Sequence, residues 1–221
     1  MNTSNDLIER QVIRMLFILY FCRDNLVQAI PMFEDPDTPL SYIESETKIQ
    51  KIDFWIRYPD HLSYALLLGC KPGGDLTMQR DEIKGVVQRI FHDNEPTLRN
   101  VPMPKYLRGA YEPIDRVMAF LTSRSLAFCR VMDARSRKRF ILTKKGGAVI
   151  EAIQKECPQT AWYVTRCRLV QEYFGHLNGL ELRNMQYIQK DYKAARYFDD
   201  IVRIEPEVQT LFADLFGEVL A

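Results

Sequence analysis

Apolar positions in this chain recur mostly with the period of a helix. Leu7, Ile8, Val12, Met15, Leu16, Leu19 and Tyr20 follow that spacing, and the middle of the run is apolar all round. This predicts a helix over about 5–25 that is central to its domain. Ile49, Ile52 and Phe54–Ile56 keep the same phase and predict a second helix, ended by Pro59. Asp60 is then placed to cap a short helix running through Leu68. "RDEIKGVVQRIFH" (80–92) predicts another amphipathic helix, with Ile83, Val86, Val87, Ile90 and Phe91 inward. "AIPMFEDPDTPLS" reads as a loop. Four prolines in the twenty residues 94–113 predict an extended path over the surface.

After Pro113 the period changes. Ile114, Val117, Met118 and Leu121 give one more helical stripe, and then "LAFCRVM" and "RFILT" read as strands joined by the polar "DARSRK". A helix opens at Thr143 or Lys144 and runs to about Glu156. Helix, strand, polar loop, strand, helix is the ending of a winged-helix unit, whose wing is the hairpin. Helices follow over 158–177, 181–195 and 206–220, with a break at Asn178–Gly179. The expected fold is therefore mainly α with a small β-hairpin: a winged helix-turn-helix core over 99–157 (hairpin about 126–143), flanked by an N-terminal helical segment, 1–98, and a C-terminal one, 158–221.

Charge changes this picture more than composition does. The net charge is +1, yet residues 99–146 hold twelve Lys and Arg against three Asp and Glu, a balance of +9. A basic middle segment in a near-neutral protein can present an electropositive face to a polyanion. Arg135, Arg137, Lys138, Arg139, Lys144 and Lys145 fall within eleven residues and are the candidate nucleic-acid contacts. Base readout is poorly equipped. The outward positions of the helix before the hairpin are Asp115, Arg116, Ala119, Thr122 and Ser123, with one arginine and no Asn or Gln. Such a face suits contact with the DNA backbone or with protein better than sequence-specific recognition.

The chemistry expected elsewhere is slight. The sequence has no phosphate-binding or dinucleotide-binding glycine motif and no zinc-protease or nucleophile-elbow motif, so no catalytic residue, cofactor or metal ligand is nominated. The five cysteines are scattered without a CxxC pair and are expected to be buried thiols in a reducing cytoplasm. His61, His92 and His176 stand apart from other ligand types and are expected at the surface or in packing. The longest apolar run, 12–22, is shorter than the ~20 residues a bilayer span needs, so no membrane role is expected.

Three stretches carry a resemblance. "KIQKIDFWIRYPDHLSYAL" (48–66), "MPKYLRGAYEPIDRVMAFLTSRSLA" (103–127) and "RFILTKKGGAVIEAI" (139–153) occur in the order of the middle component of ABC-ATPase three-component systems, the Lamassu type of bacterial anti-phage defence. The chain resembles that family over about 44–155, most specifically at Asp53–Phe54 with Tyr58–Pro59 and at Gly109–Tyr111. It has alanine at 110 where the family pattern has proline, and Ser125 where it has glycine. The resemblance implies a non-enzymatic subunit that binds an SMC/Rad50-like ABC ATPase and a nuclease-type effector, with double-stranded DNA backbone as a further contact of the wing. A winged-helix transcriptional regulator is the alternative reading of the same pattern.

Overall fold

A computed structural model of the chain describes residues 3–26, 38–99, 101–107, 109–132 and 137–220. In chain order the elements are α1 (Thr3–Phe21), β1 (Asn25–Leu26), β2 (Pro39–Glu44), α2 (Glu46–Arg57), α3 (Pro59–Gly69), α4 (Arg80–His92), the single turn α5 (Glu95–Leu98), β3 (Lys105–Tyr106) and β4 (Gly109–Ala110). There follow α6 (Asp115–Ser123), β5 (Ala127–Val131), β6 (Lys138–Thr143), α7 (Lys144–Glu156), α8 (Ala161–Phe174), α9 (Gly179–Ile188), α10 (Lys190–Ala194) and α11 (Glu205–Phe216). The protein is mainly helical, with a small antiparallel sheet ordered β1-β2-β6-β5 and a separate two-stranded ladder, β3-β4. The chain divides into two compact units: Met1–Asp53 with Glu112–Leu182, and Phe54–Tyr111 with Arg183–Ala221. The units are interleaved in sequence, so neither coincides with 1–98, 99–157 or 158–221.

In the first unit α1 is buried all round at its middle: Phe17, Ile18 and Leu19 have no exposed surface. The hairpin forms where its apolar runs predict it, and its register pairs Phe128 with Ile141 and Arg130 with Arg139. The sequence reading did not anticipate β2, which joins the other edge of β6 and pairs Ile43 with Phe140. Its core-facing residues are Ser41 and Ile43, so a buried serine interrupts the apolar alternation that marks a strand. The inward stripe of α6, Ile114, Val117, Met118 and Leu121, is buried as the spacing predicts. Thr143 caps α7 by accepting a hydrogen bond from the Gly146 amide at 3.0 Å. A Cβ on Gly146 would collide with the Leu126 carbonyl, so glycine there lets strand and helix backbones approach. Asn178 caps α9 through its carbonyl oxygen, and Glu181 reaches back to the Asn178 amide at 2.7 Å.

The second unit is built around aromatic rings. Phe54 stacks on Tyr58 at 4.7 Å and meets His61 and Tyr192 edge-on. Tyr58 donates its hydroxyl proton to the Ile201 carbonyl and accepts the Met103 amide, at 3.0 and 2.9 Å. Three expectations need correction here. Asp60 does not cap α3, whose N-cap is Tyr58; its carboxylate instead accepts the Ile204 amide at 2.6 Å. The proline-rich stretch does not simply cross the surface, because Met103 and Ala110 are fully buried and the Arg57 guanidinium holds the carbonyls of Val101 and Pro102. The predicted helix over 181–195 is two helices, α9 and α10, broken at Gln189, whose side chain hydrogen-bonds the His61 ring and backbone.

Candidate functional site

The hairpin and the start of α7 position five of the six candidate basic residues; Arg135 lies outside the described residues. The five do not form one cluster. Arg137 precedes β6 and Lys144 follows it, so seven residues of nearly extended chain put roughly 20 Å between the hairpin tip and the helix start. Lys144 and Lys145 are exposed at the first turn of α7, and Arg137 is exposed at the other end.

Two of the five are tied back onto the first unit. The Lys138 ammonium pairs with Glu46 at 3.1 Å, and that hydrogen bond and charge push its pKa up. The Arg139 guanidinium pairs with Glu44 and lies 4.1 Å from the centre of the Tyr42 ring. Both acids sit about ninety residues upstream, at the end of β2 and the start of α2, so no local pattern could couple them to the basic run. A polyanion docking here would meet two cations already neutralised within the fold.

Arg130 was not nominated from the sequence and is the more available cation. It is exposed, lies directly opposite Arg139 in the β5–β6 ladder, and no ion pair joins it to a described residue. Arg116 and Arg124 are exposed on and just beyond α6, the latter 3.9 Å from the centre of the Phe120 ring. The outward face of α6 consists of Asp115, Arg116, Ala119, Thr122 and Ser123, all exposed as the spacing predicts. Apolar side chains complete the surface: Val131 is 58 % exposed and Met132 44 %.

The cysteines divide. Cys22, Cys70 and Cys167 are buried as expected, whereas Cys129 on β5 and Cys157 after α7 are exposed. Burial pushes the Cys70 thiol up to about 11. His61 is fully buried between Gln189 and the Val202 carbonyl, while His92 and His176 are exposed. Among the described residues no group of three or more His, Cys, Asp or Glu is placed to hold a metal ion, and no helix is long and apolar enough to cross a membrane. The second unit has an open cleft of about 370 Å³, lined by Tyr64, Lys71, Gln189, Glu207, Thr210 and Asp214 among others.

Compared with known proteins, the chain matches no family model, no curated protein and no solved structure.

Proposed function

We propose that the protein is a winged-helix accessory subunit of an anti-phage defence complex, joining an SMC/Rad50-like ATPase to a nuclease-type effector without catalysing a reaction itself. The order of elements in the first unit carries the reading. Helix α1, strand β2, helix α2, helix α6 and the β5–β6 hairpin follow one another, with β6 between β2 and β5 in the sheet. That succession supports a winged-helix reading, with residues 58–114 lying between its second and third helices. Ser125 is a departure from the family pattern. Its φ of +56° is the left-handed geometry that glycine adopts without strain, and glycine is the residue the family pattern has there.

The surface favours an assembly role over gene regulation. Along the outward side of α6 the only cation is Arg116, and no amide side chain is present to read a base edge. The protein acts in the cytoplasm, with the wing held against a partner or against DNA backbone. The test is co-expression with the genes beside its own, purification through a tag on this chain, and identification of what co-elutes. A large coiled-coil ATPase in fixed ratio is the expected result. A lone homodimer bound to a DNA fragment from its own promoter would replace this reading with that of a regulator.

A further inference from the structure

Among the described residues no strand pairs with the outer edge of β5. Leu126 accepts the Thr143 amide and the Arg137 carbonyl accepts the Met132 amide, at 3.1 and 2.8 Å, so the even-numbered residues of β5 face β6. The N–H and C=O groups of Ala127, Cys129 and Val131 therefore point away from the sheet. The Ala127 carbonyl is covered by the Thr122 hydroxyl at 3.1 Å. No hydrogen bond from a described residue reaches the outward main-chain groups of Cys129 or Val131.

Native sheets blunt an exposed edge with a bulge, a proline, a charged side chain or a covering helix. Among the described residues the β5 edge beyond Ala127 has no bulge or proline, and its one charged side chain, Arg130, stands beside the exposed Val131 and Met132 with no ion pair to a described residue. Arg116 and Arg124 add positive charge on the same α6–hairpin stretch, against Asp115 alone among the described acids of 113–132.

We infer that β5 receives an added strand: an extended, acidic segment of a protein partner with apolar residues at alternate positions. Its main chain would pair with the amides and carbonyls of Cys129 and Val131. Its carboxylates would meet Arg130 and its neighbours, and its apolar side chains would cover Val131 and Met132. Duplex DNA fits less well. Phosphates would use the arginines but would leave the apolar side chains uncovered, and Lys138 and Arg139 are held by Glu46 and Glu44. The inference deepens the proposed role by naming what one partner offers the wing, and it rests on that role only for the source of the segment.

The test uses the full chain alone, so its failure is distinct from failure of the co-purification above. The probe is a nine-residue peptide alternating valine and glutamate, with a valine–lysine counterpart and a 20-base-pair duplex as competitors. Binding is followed by residue-resolved amide exchange. The glutamate peptide is expected to bind at least ten-fold tighter than the lysine peptide and to slow exchange at Cys129 and Val131 specifically. Val131→Pro removes an outward N–H without touching a ladder bond, and it should abolish binding while β6 amides keep their protection. Arg130→Glu should weaken binding without altering the fold. Equal binding of both peptides, or unchanged exchange at 129 and 131, would overturn the inference. Protection by the duplex alone would also overturn it and make this a DNA surface.

Discussion

Each unit buries a long cation, and the two solutions differ. In the first, Arg14 lies in the middle of α1 and meets Asp53 at 2.5 Å, with Glu112 at 3.6 Å. Burial alone would pull the guanidinium down, and Asp53 more than offsets it, so the net displacement is upward. In the second unit, Lys105 donates to the carbonyls of Lys193 and Ala195, at 2.6 and 2.8 Å, with the rings of Tyr187, Tyr192 and Tyr197 within 6 Å. No carboxylate among the described residues offsets its burial, which moves its pKa down. A buried charge can thus be held by an opposite charge or by dipoles and ring faces. Only the first arrangement leaves a full uncompensated charge when one partner is lost.

That difference sets the order of expected effects. Asp53→Ala should destabilise most, by about 3–5 kcal/mol in denaturant unfolding, because it leaves Arg14 buried beside the more distant Glu112 alone. Replacing both partners with apolar residues of similar volume should recover most of the loss. A double variant as unstable as the single one would mean that packing, not charge, dominates there. Lys105→Met keeps the stem and removes the ammonium, leaving two carbonyls unpaired; a loss of about 2–3 kcal/mol is expected. A loss as large as that of Asp53→Ala would erase the contrast.

Tyr58 sharpens the comparison through pH. Burial pushes its hydroxyl up to about 12, so the unfolded chain releases this proton first as pH rises. The stability it contributes is full below about 10 and is lost as pH climbs through 12. The Tyr58→Phe variant should lose about 1–2 kcal/mol at neutral pH, since the Met103 amide loses its acceptor. Its melting temperature should also fall less steeply between pH 10 and 12 than that of the parent.

The parts of this molecule that were legible in the sequence are those settled by neighbours. The stripe of α6, the hairpin strands and the helix start at Thr143 all follow from residues close together in the chain. Strand β2 was not legible, because its partner β6 lies about a hundred residues away and Ser41 breaks the apolar alternation. The buried cations were invisible for a similar reason. Arginine and lysine predict surface, and the groups that hold Arg14 and Lys105 come from 39 and about 90 residues distant. The candidate basic face divides in the same way. Its composition marks the hairpin, but Glu44 and Glu46, which take up Arg139 and Lys138, lie about ninety residues upstream.

The interleaving of the two units has a consequence during synthesis. A ribosome that has made the first 111 residues has released most of one unit and part of the other, and neither has its remaining pieces. The first unit can close only after Leu182 has emerged, and the second waits for the segment from Arg183 onward. Phe54, Trp55 and Tyr58, fully covered in the finished protein, therefore stay uncovered through much of translation. Two consecutive domains of the same size would each close sooner and leave such apolar surface uncovered for less of synthesis.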